Sequence, residues 1–170
     1  MKTRSRRSKP PGETKKRSSN PAQTAFLALG SNLGNRRRNL ERAVRAIASF
    51  GKVVAVSSFY ETPPEGFENQ PDFLNAVLEI ETRQQPRELL ASAQALEKLL
   101  GRTPTFRNGP REIDVDLLDV GGVILRRPGL VLPHPRLHRR RFVLQPLAQI
   151  APRWRHPKLK ATASELLARL

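Results

Sequence analysis

A chain of 170 residues, 38% of them apolar, suits one hydrophobic core rather than two, and no apolar run approaches the roughly 18 residues that a membrane helix needs. Zero cysteines exclude a disulfide framework, thiolate catalysis and any cysteine-ligated zinc or iron–sulfur site. The net charge of +16 invites a nucleic-acid partner, but residues 1–24 hold eight Lys/Arg and one Glu, so +7 belongs to one terminal stretch and +9 to the rest.

That stretch, MKTRSRRSKPPGETKKRSSNPAQT, lacks apolar periodicity and is rich in Ser, Pro and positive charge, a composition that cannot offset its ordering entropy. It is expected to be a disordered basic tail over 1–24, with one domain over 25–170. No secretory h-region is present, and the Arg- and Ser-rich character overlaps with organelle transit peptides, which are however usually amphipathic. A solvated tail is the expectation, with no more than weak, non-specific contact to nucleic acid.

From Ala25 the run AFLAL, ending in Gly30-Ser31-Asn32, predicts a buried strand entering a turn. Asn35 can cap a helix in which Leu40, Ala43, Val44 and Ile47 recur at helical spacing, with Gly51 as the stop. Residues 53–60, β-branched and aromatic, predict a strand closed by Thr62-Pro63-Pro64. After a loop over 63–71, residues 73–81 return to strand character, with Phe73, Asn75, Val77 and Glu79 on one face. Pro86 suits the first turn of a second helix, whose stripe Leu89, Ala93, Leu96 and Leu100 ends at Gly101. Residues 112–120 predict a strand, Gly121-Gly122 a turn, and 123–125 a short strand after it. The order β-α-β-β-α-β predicts an α+β fold, a ferredoxin-like sandwich with a mainly antiparallel sheet and helices packed on one face. Beyond a Pro-rich basic stretch, 142–150 predicts a short helix disturbed by Pro146, and 162–170 a Thr-capped terminal helix.

The densest chemical signal is RNGPREIDVDLL over 107–118. Strand alternation puts Asp114 and Asp116 on one face, about 6.6–7 Å apart at the backbone, and points Ile113, Val115 and Leu117 to the core. Such a pair suits Mg2+, which takes one or two protein carboxylates and fills its octahedron with water and substrate phosphates. Two aspartates facing solvent are the ordinary alternative for an isolated Asp-x-Asp. Here the Gly109-Pro110-Arg111 turn places a cation beside the pair. No GxxxxGK[ST] occurs and GSNLGN lacks the lysine that grips phosphate, which argues against a P-loop kinase.

RNGPREIDVDLL, with FLALGSNLGN, SSFYETPP, QPDFLNAV, LPHPRL and RRRFVLQPLAQIAP in the same order, resembles the 6-hydroxymethyl-7,8-dihydropterin pyrophosphokinase family over 25–153. The resemblance implies an ATP-dependent pyrophosphate transfer to the hydroxymethyl group of the reduced pterin, a step in folate biosynthesis, carried out by a cytoplasmic monomer. It implies that Asp114 and Asp116 hold two Mg2+ ions against ATP and that Arg102 and Arg111 act with them. Pterin contacts are implied for Thr62, Pro63, the backbone of Glu65, Phe73, Asn75 and Phe142, with the two phenylalanines stacking on the ring. Nucleotide contacts are implied for Gln94, Glu97, Arg102, Arg111, Leu117, His134 and Arg140.

Plainer readings stand beside these: Phe73 and Phe142 as ordinary core, Gln94 and Glu97 as solvated helix positions, His134 as a turn cap between two prolines, and Arg139 and Arg141 as a solvated face around Arg140. The loops 63–71 and 102–108 are expected to close and exclude water. The sequence departs from the family pattern at Asn108, where some members have an aromatic residue, in the short stretch 103–106, and at Glu65, which replaces an apolar residue. A basic nucleic-acid-binding module and a ligand-binding but catalytically silent relative are the alternatives.

Overall fold

The strand expected from Ala25 begins two residues earlier, at Gln23, and runs to Ser31 (β1). The computed structural model describes residues 20–170, so the disorder expected of residues 1–19 lies outside the described residues. Residues 20–24 belong with the domain instead: the Gln23 amide donates to the Gln84 carbonyl at 2.9 Å, and Gln23 pairs with Thr82 in the sheet.

After β1 come α1 (Arg36–Ile47), β2 (Lys52–Val56), β3 (Tyr60–Thr62), β4 (Phe73–Thr82), α2 (Pro86–Leu99) and β5 (Asp114–Val120). They are followed by β6 (Leu125–Arg127), β7 (Leu130–Leu132), a short 3-10 turn, α3 (Arg141–Ile150) and α4 (Ala163–Ala168). The main sheet has the order β2-β4-β1-β5, with β3 also pairing β4, and every pairing is antiparallel. This is the ferredoxin-like order that the β-α-β-β-α-β sequence implies.

Helices cover both faces of the sheet, not one as expected. Ala25, Leu27 and Leu29 of β1 pack with Leu40, Ala43 and Ile47 of α1 and with Leu89, Ala93 and Leu96 of α2. On the other face Phe26, Val77 and Leu118 pack with Val143, Leu144 and Leu147 of α3 and with Ala163 and Leu166 of α4. A central strand apolar on both faces requires two covers, and the C-terminal helices supply the second. No helix among the described residues is long and apolar enough to cross a membrane.

Local corrections follow from tertiary partners. The single strand expected over 53–60 is broken between β2 and β3, where Ser58 N–H and Tyr60 Oη donate to Gln149 Oε1 of α3 at 2.8 and 3.0 Å. β5 starts at Asp114 rather than 112, because Glu112 turns aside and its carboxylate accepts from Thr103 N–H at 3.1 Å. The strand expected at 123–125 lies at Leu125–Arg127 and pairs with β7, turning through Gly129 at φ +74. Helix α1 stops a turn before Gly51. Pro146 leaves the Phe142 carbonyl without its helical donor, yet α3 persists on the strength of its buried apolar side. Asn35 caps α1 by accepting from Arg38 N–H at 3.0 Å, and Thr162 caps α4.

Candidate active site

A cavity of about 320 Å3 opens at the C-terminal end of β1, within the size range of small-molecule sites. The sheet creates it by a taper in side-chain size. Along the face shared with α3, β1 presents Phe26, Ala28 and Gly30 in turn, and the last two line the cavity. Gly30 lies in register between Asn75 of β4 and Asp114 of β5. A Cβ on Gly30 would sit 3.0 Å from Asn75 Oδ1 and 3.6 Å from Phe73 Cδ1, so the glycine keeps this floor open.

On the β5 side Asp114 and Asp116 both line the cavity, while Ile113, Val115 and Leu117 are buried among the α1 and α2 side chains. Asp114 is gripped by two arginines, Arg102 Nη1 at 2.8 Å and Arg111 Nη1 at 3.1 Å. Asp116 makes no ion pair with the described residues, and burial together with the neighbouring Asp114 charge pushes its carboxyl up to about 7. Among the described residues no cluster of three or more His, Cys, Asp or Glu is placed to hold a metal. Two carboxylates, one of them unpaired and unfavourably charged, nonetheless fit a hard cation that completes its shell with water and phosphate oxygens.

Glu97 is buried rather than solvated. Its Oε1 accepts from Val115 N–H at 2.7 Å and pairs with Arg102, so α2 holds both the edge strand β5 and the arginine that reaches Asp114. Burial is the largest influence on its carboxyl and raises its pKa. Gln94, three residues earlier, lines the cavity from the exposed side of the same helix.

On the β4 side, Asn75 Nδ2 donates to Thr62 Oγ1 at 2.6 Å and lines the cavity with Phe73, Pro63, Glu65 and Phe142. The guanidinium of Arg140 lies 5.2 Å from the centre of the Phe142 ring, and its Nε is 3.2 Å from Glu65 Oε2. That approach lies off the hydrogen-bonding line, so the buried Arg140 Nε–H has no acceptor among the described residues. His134 Nδ1 accepts from Arg136 N–H at 3.2 Å, which leaves the proton on Nε2. Burial and the charges of Arg140 and Arg136 hold the His134 pKa down at about 4, so the ring is neutral at pH 7.

All the expected site residues except Leu117 line this one cavity. Leu117 does not line it: its side chain belongs to the core, as strand alternation requires. The sequence reading passed over Gly30, Leu90 and Arg136, which also line it. The LPHPRL motif offered the only signal for Arg136, two residues after His134. Asn108, noted only as a departure, lines the cavity in the left-handed conformation at φ 60, which Asn tolerates better than an aromatic residue would.

Fold and cavity define a class: a ferredoxin-like α+β domain in which a carboxylate pair faces arginines across a sheet-floored pocket. The family model for 7,8-dihydro-6-hydroxymethylpterin-pyrophosphokinase (HPPK) matches residues 26–152, and the chain belongs to this family. It is 45% identical over 128 residues to the 2-amino-4-hydroxy-6-hydroxymethyldihydropteridine pyrophosphokinase of Bacillus subtilis, covering 74% of this chain and 77% of that one. With the enzyme of the same name from Aquifex aeolicus it shares 41% identity over 134 residues, 79% of this chain and 84% of that one. The crystal structure of Plasmodium falciparum HPPK-DHPS superposes with a TM-score of 0.72 at 16% identity. That superposition covers 90% of this chain and 45% of the Plasmodium chain, and supports the fold.

Proposed function

We propose that this cavity transfers pyrophosphate from ATP to the hydroxymethyl group of 6-hydroxymethyl-7,8-dihydropterin, giving AMP and the pterin diphosphate, a step in folate biosynthesis. Membership of the pyrophosphokinase family supports the reaction. Within this chain the supporting observation is Arg140, whose buried Nε is ion-paired with Glu65 at 3.2 Å but has no hydrogen-bond acceptor among the described residues, in a cavity that also holds the Asp114 and Asp116 carboxylates. A phosphate chain supplies the missing acceptor.

The pterin lies against Phe73 and Phe142, with the Asn75 amide on its edge and Thr62, Pro63 and the Glu65 backbone around it. ATP lies against Gln94, Arg102, Arg111, His134 and Arg140. The pterin hydroxymethyl oxygen attacks the β-phosphorus and its O–H proton passes to solvent, while the bond from that phosphorus to the oxygen of the α-phosphate breaks and AMP leaves. Alignment and charge stabilisation carry such a transfer. Arg102, Arg111 and Arg140 stabilise negative charge on the phosphate oxygens, and His134 donates its Nε2–H to one of them. Glu97 holds Arg102 in place, and no side chain is assigned as general base. Asp114 and Asp116 are the residues that would hold Mg2+, two ions in our reading, which when bound would neutralise phosphate charge. We take the protein to act as a cytoplasmic monomer, with no nucleic-acid contact beyond weak, non-specific association through its basic tail.

The test is an AMP-release assay with Mg2+ and ATP, with and without the reduced pterin. AMP should form only with the pterin and in equal amount to the pterin diphosphate. Asp114→Ala and Asp116→Ala should each lower kcat/KM about 100-fold or more. Unchanged rates in both variants would remove the carboxylates from the mechanism.

A further inference from the structure

Asn32, at the turn after β1, does not line the cavity, yet it is 2% exposed and its side chain is fully engaged. Its Nδ2 donates to Gln70 Oε1 and to the Pro71 carbonyl, both at 2.9 Å, and its Oδ1 accepts from Arg111 N–H at 2.8 Å. Its backbone N–H donates to the Arg111 carbonyl at 3.1 Å. One amide therefore ties the exit of the 63–71 loop to the turn that presents Arg111. Gln70 extends the tie, because its Nε2 donates at 2.7 Å to the Asn108 carbonyl and at 2.7 Å to the Phe67 carbonyl. The same two loops meet again at the surface, where the rings of Phe67 and Phe106 stand edge to face with centres 5.0 Å apart.

We propose that Asn32 and Gln70 are positioning residues that couple the two halves of the cavity, so that ordering the 63–71 loop also fixes the Arg111 turn. The direction of Arg111 is set locally: Nε and Nη2 donate to the Gly109 carbonyl at 3.1 and 3.0 Å, which aims Nη1 at Asp114. The backbone of that turn is in turn held by Asn32. On the other side, the 63–71 loop carries Pro63 and Glu65 into the cavity. A ligand on the loop and a ligand on the turn thus draw on the same ordering free energy, and by linkage each tightens the other equally. Only an amide at 32 can give two hydrogen bonds and accept one at the same time. Aspartate would keep the acceptor for Arg111 N–H and lose both donors.

The ligand assignment rests on the function proposed above, whereas the tie itself does not, and the experiment separates the two. Hydrogen exchange on the ligand-free full-length protein compares wild type with Gln70→Ala, Gln70→Glu and Asn32→Asp. Gln70→Ala should speed exchange at the amides of 106–111 as well as in its own loop. Acceleration confined to 63–71 overturns the coupling whether or not the protein turns over ATP and pterin. Calorimetry then measures pterin binding with and without a non-hydrolysable ATP analogue. Gln70→Ala should lose about tenfold of the mutual tightening seen in wild type, about 1.4 kcal/mol, and raise KM for both substrates. Gln70→Glu, which keeps its acceptor for Asn32, should fall between the two. A lower Tm with KM, kcat and mutual tightening unchanged would reduce both residues to a structural role. Gln70 is only partly buried, so its variants keep the test decisive even where the buried Asn32 does not tolerate exchange.

Discussion

Asp114 and Asp116 occupy the same strand face two residues apart, but their surroundings give them different electrostatic states. Asp114 has two arginines within 3.1 Å, whereas Asp116 faces the cavity with burial and Asp114 both opposing its charge. The folded-state pKa of Asp116, about 7, lies above its ordinary 3.8, so the folded state binds this proton more tightly than the unfolded chain does. The resulting stabilisation is complete below 3.8 and is lost as pH rises through about 7. Asp116→Asn keeps a neutral group at every pH. Without divalent cations, the Tm of Asp116→Asn relative to wild type should therefore climb between about pH 4 and about pH 7 and level off above that, and added Mg2+ should stabilise wild type alone. A Tm difference that stays flat with pH would mean that the carboxyl titrates normally.

At the scale of elements, Glu97 shows how a helix can serve an active site without presenting its groups to solvent. Its carboxylate fills the hydrogen-bonding position at the start of β5, where Val115 N–H lies on the open edge of the sheet, and it restrains Arg102 at the same time. Glu97→Ala leaves a buried N–H without an acceptor and should cost about 1–3 kcal/mol in urea unfolding, with kcat/KM falling as Arg102 loses its restraint. Glu97→Gln retains an acceptor for Val115 N–H and should recover most of the stability but less of the activity. Equal losses in both variants would mean that charge, not the link to Val115, is what matters there. A helical wheel puts Glu97 beside the apolar stripe, but its burial depends on a strand 18 residues further along the chain.

Across the whole molecule, the two covered faces of the sheet explain how so small a chain encloses a cavity. Helices α1 and α2 form one core, α3 and α4 the other, and the β1 taper leaves a gap between the second core and the loops. The charge is distributed differently from the chemistry. Residues 1–19 contain the same eight basic residues and one acidic residue as the expected 1–24 tail, because none lies between 20 and 24. Since Gln23 and Thr24 are part of β1, the informative truncation removes 1–19. It should leave Tm and AMP release unchanged while reducing retention on a heparin column, because each lost cation weakens polyanion binding. Truncated protein that eluted at the same salt would place the polyanion affinity in the domain.

Patterns confined to a few consecutive residues were legible from the sequence: the period-2 alternation that puts Asp114 and Asp116 on one face, the caps at Asn35 and Thr162, the Pro86 helix start, and the β-α-β-β-α-β order. Each depends on backbone geometry that neighbouring residues impose on one another. Tertiary contacts alone decided that Ser58 and Tyr60 break a strand to reach Gln149, that α3 and α4 close the second face, and that Glu97 is buried. They also decided that Asn32 joins the Pro71 and Arg111 backbones. In each of these cases the partner is many residues away, and a buried polar group takes its place only when the folded chain brings that partner within hydrogen-bond reach.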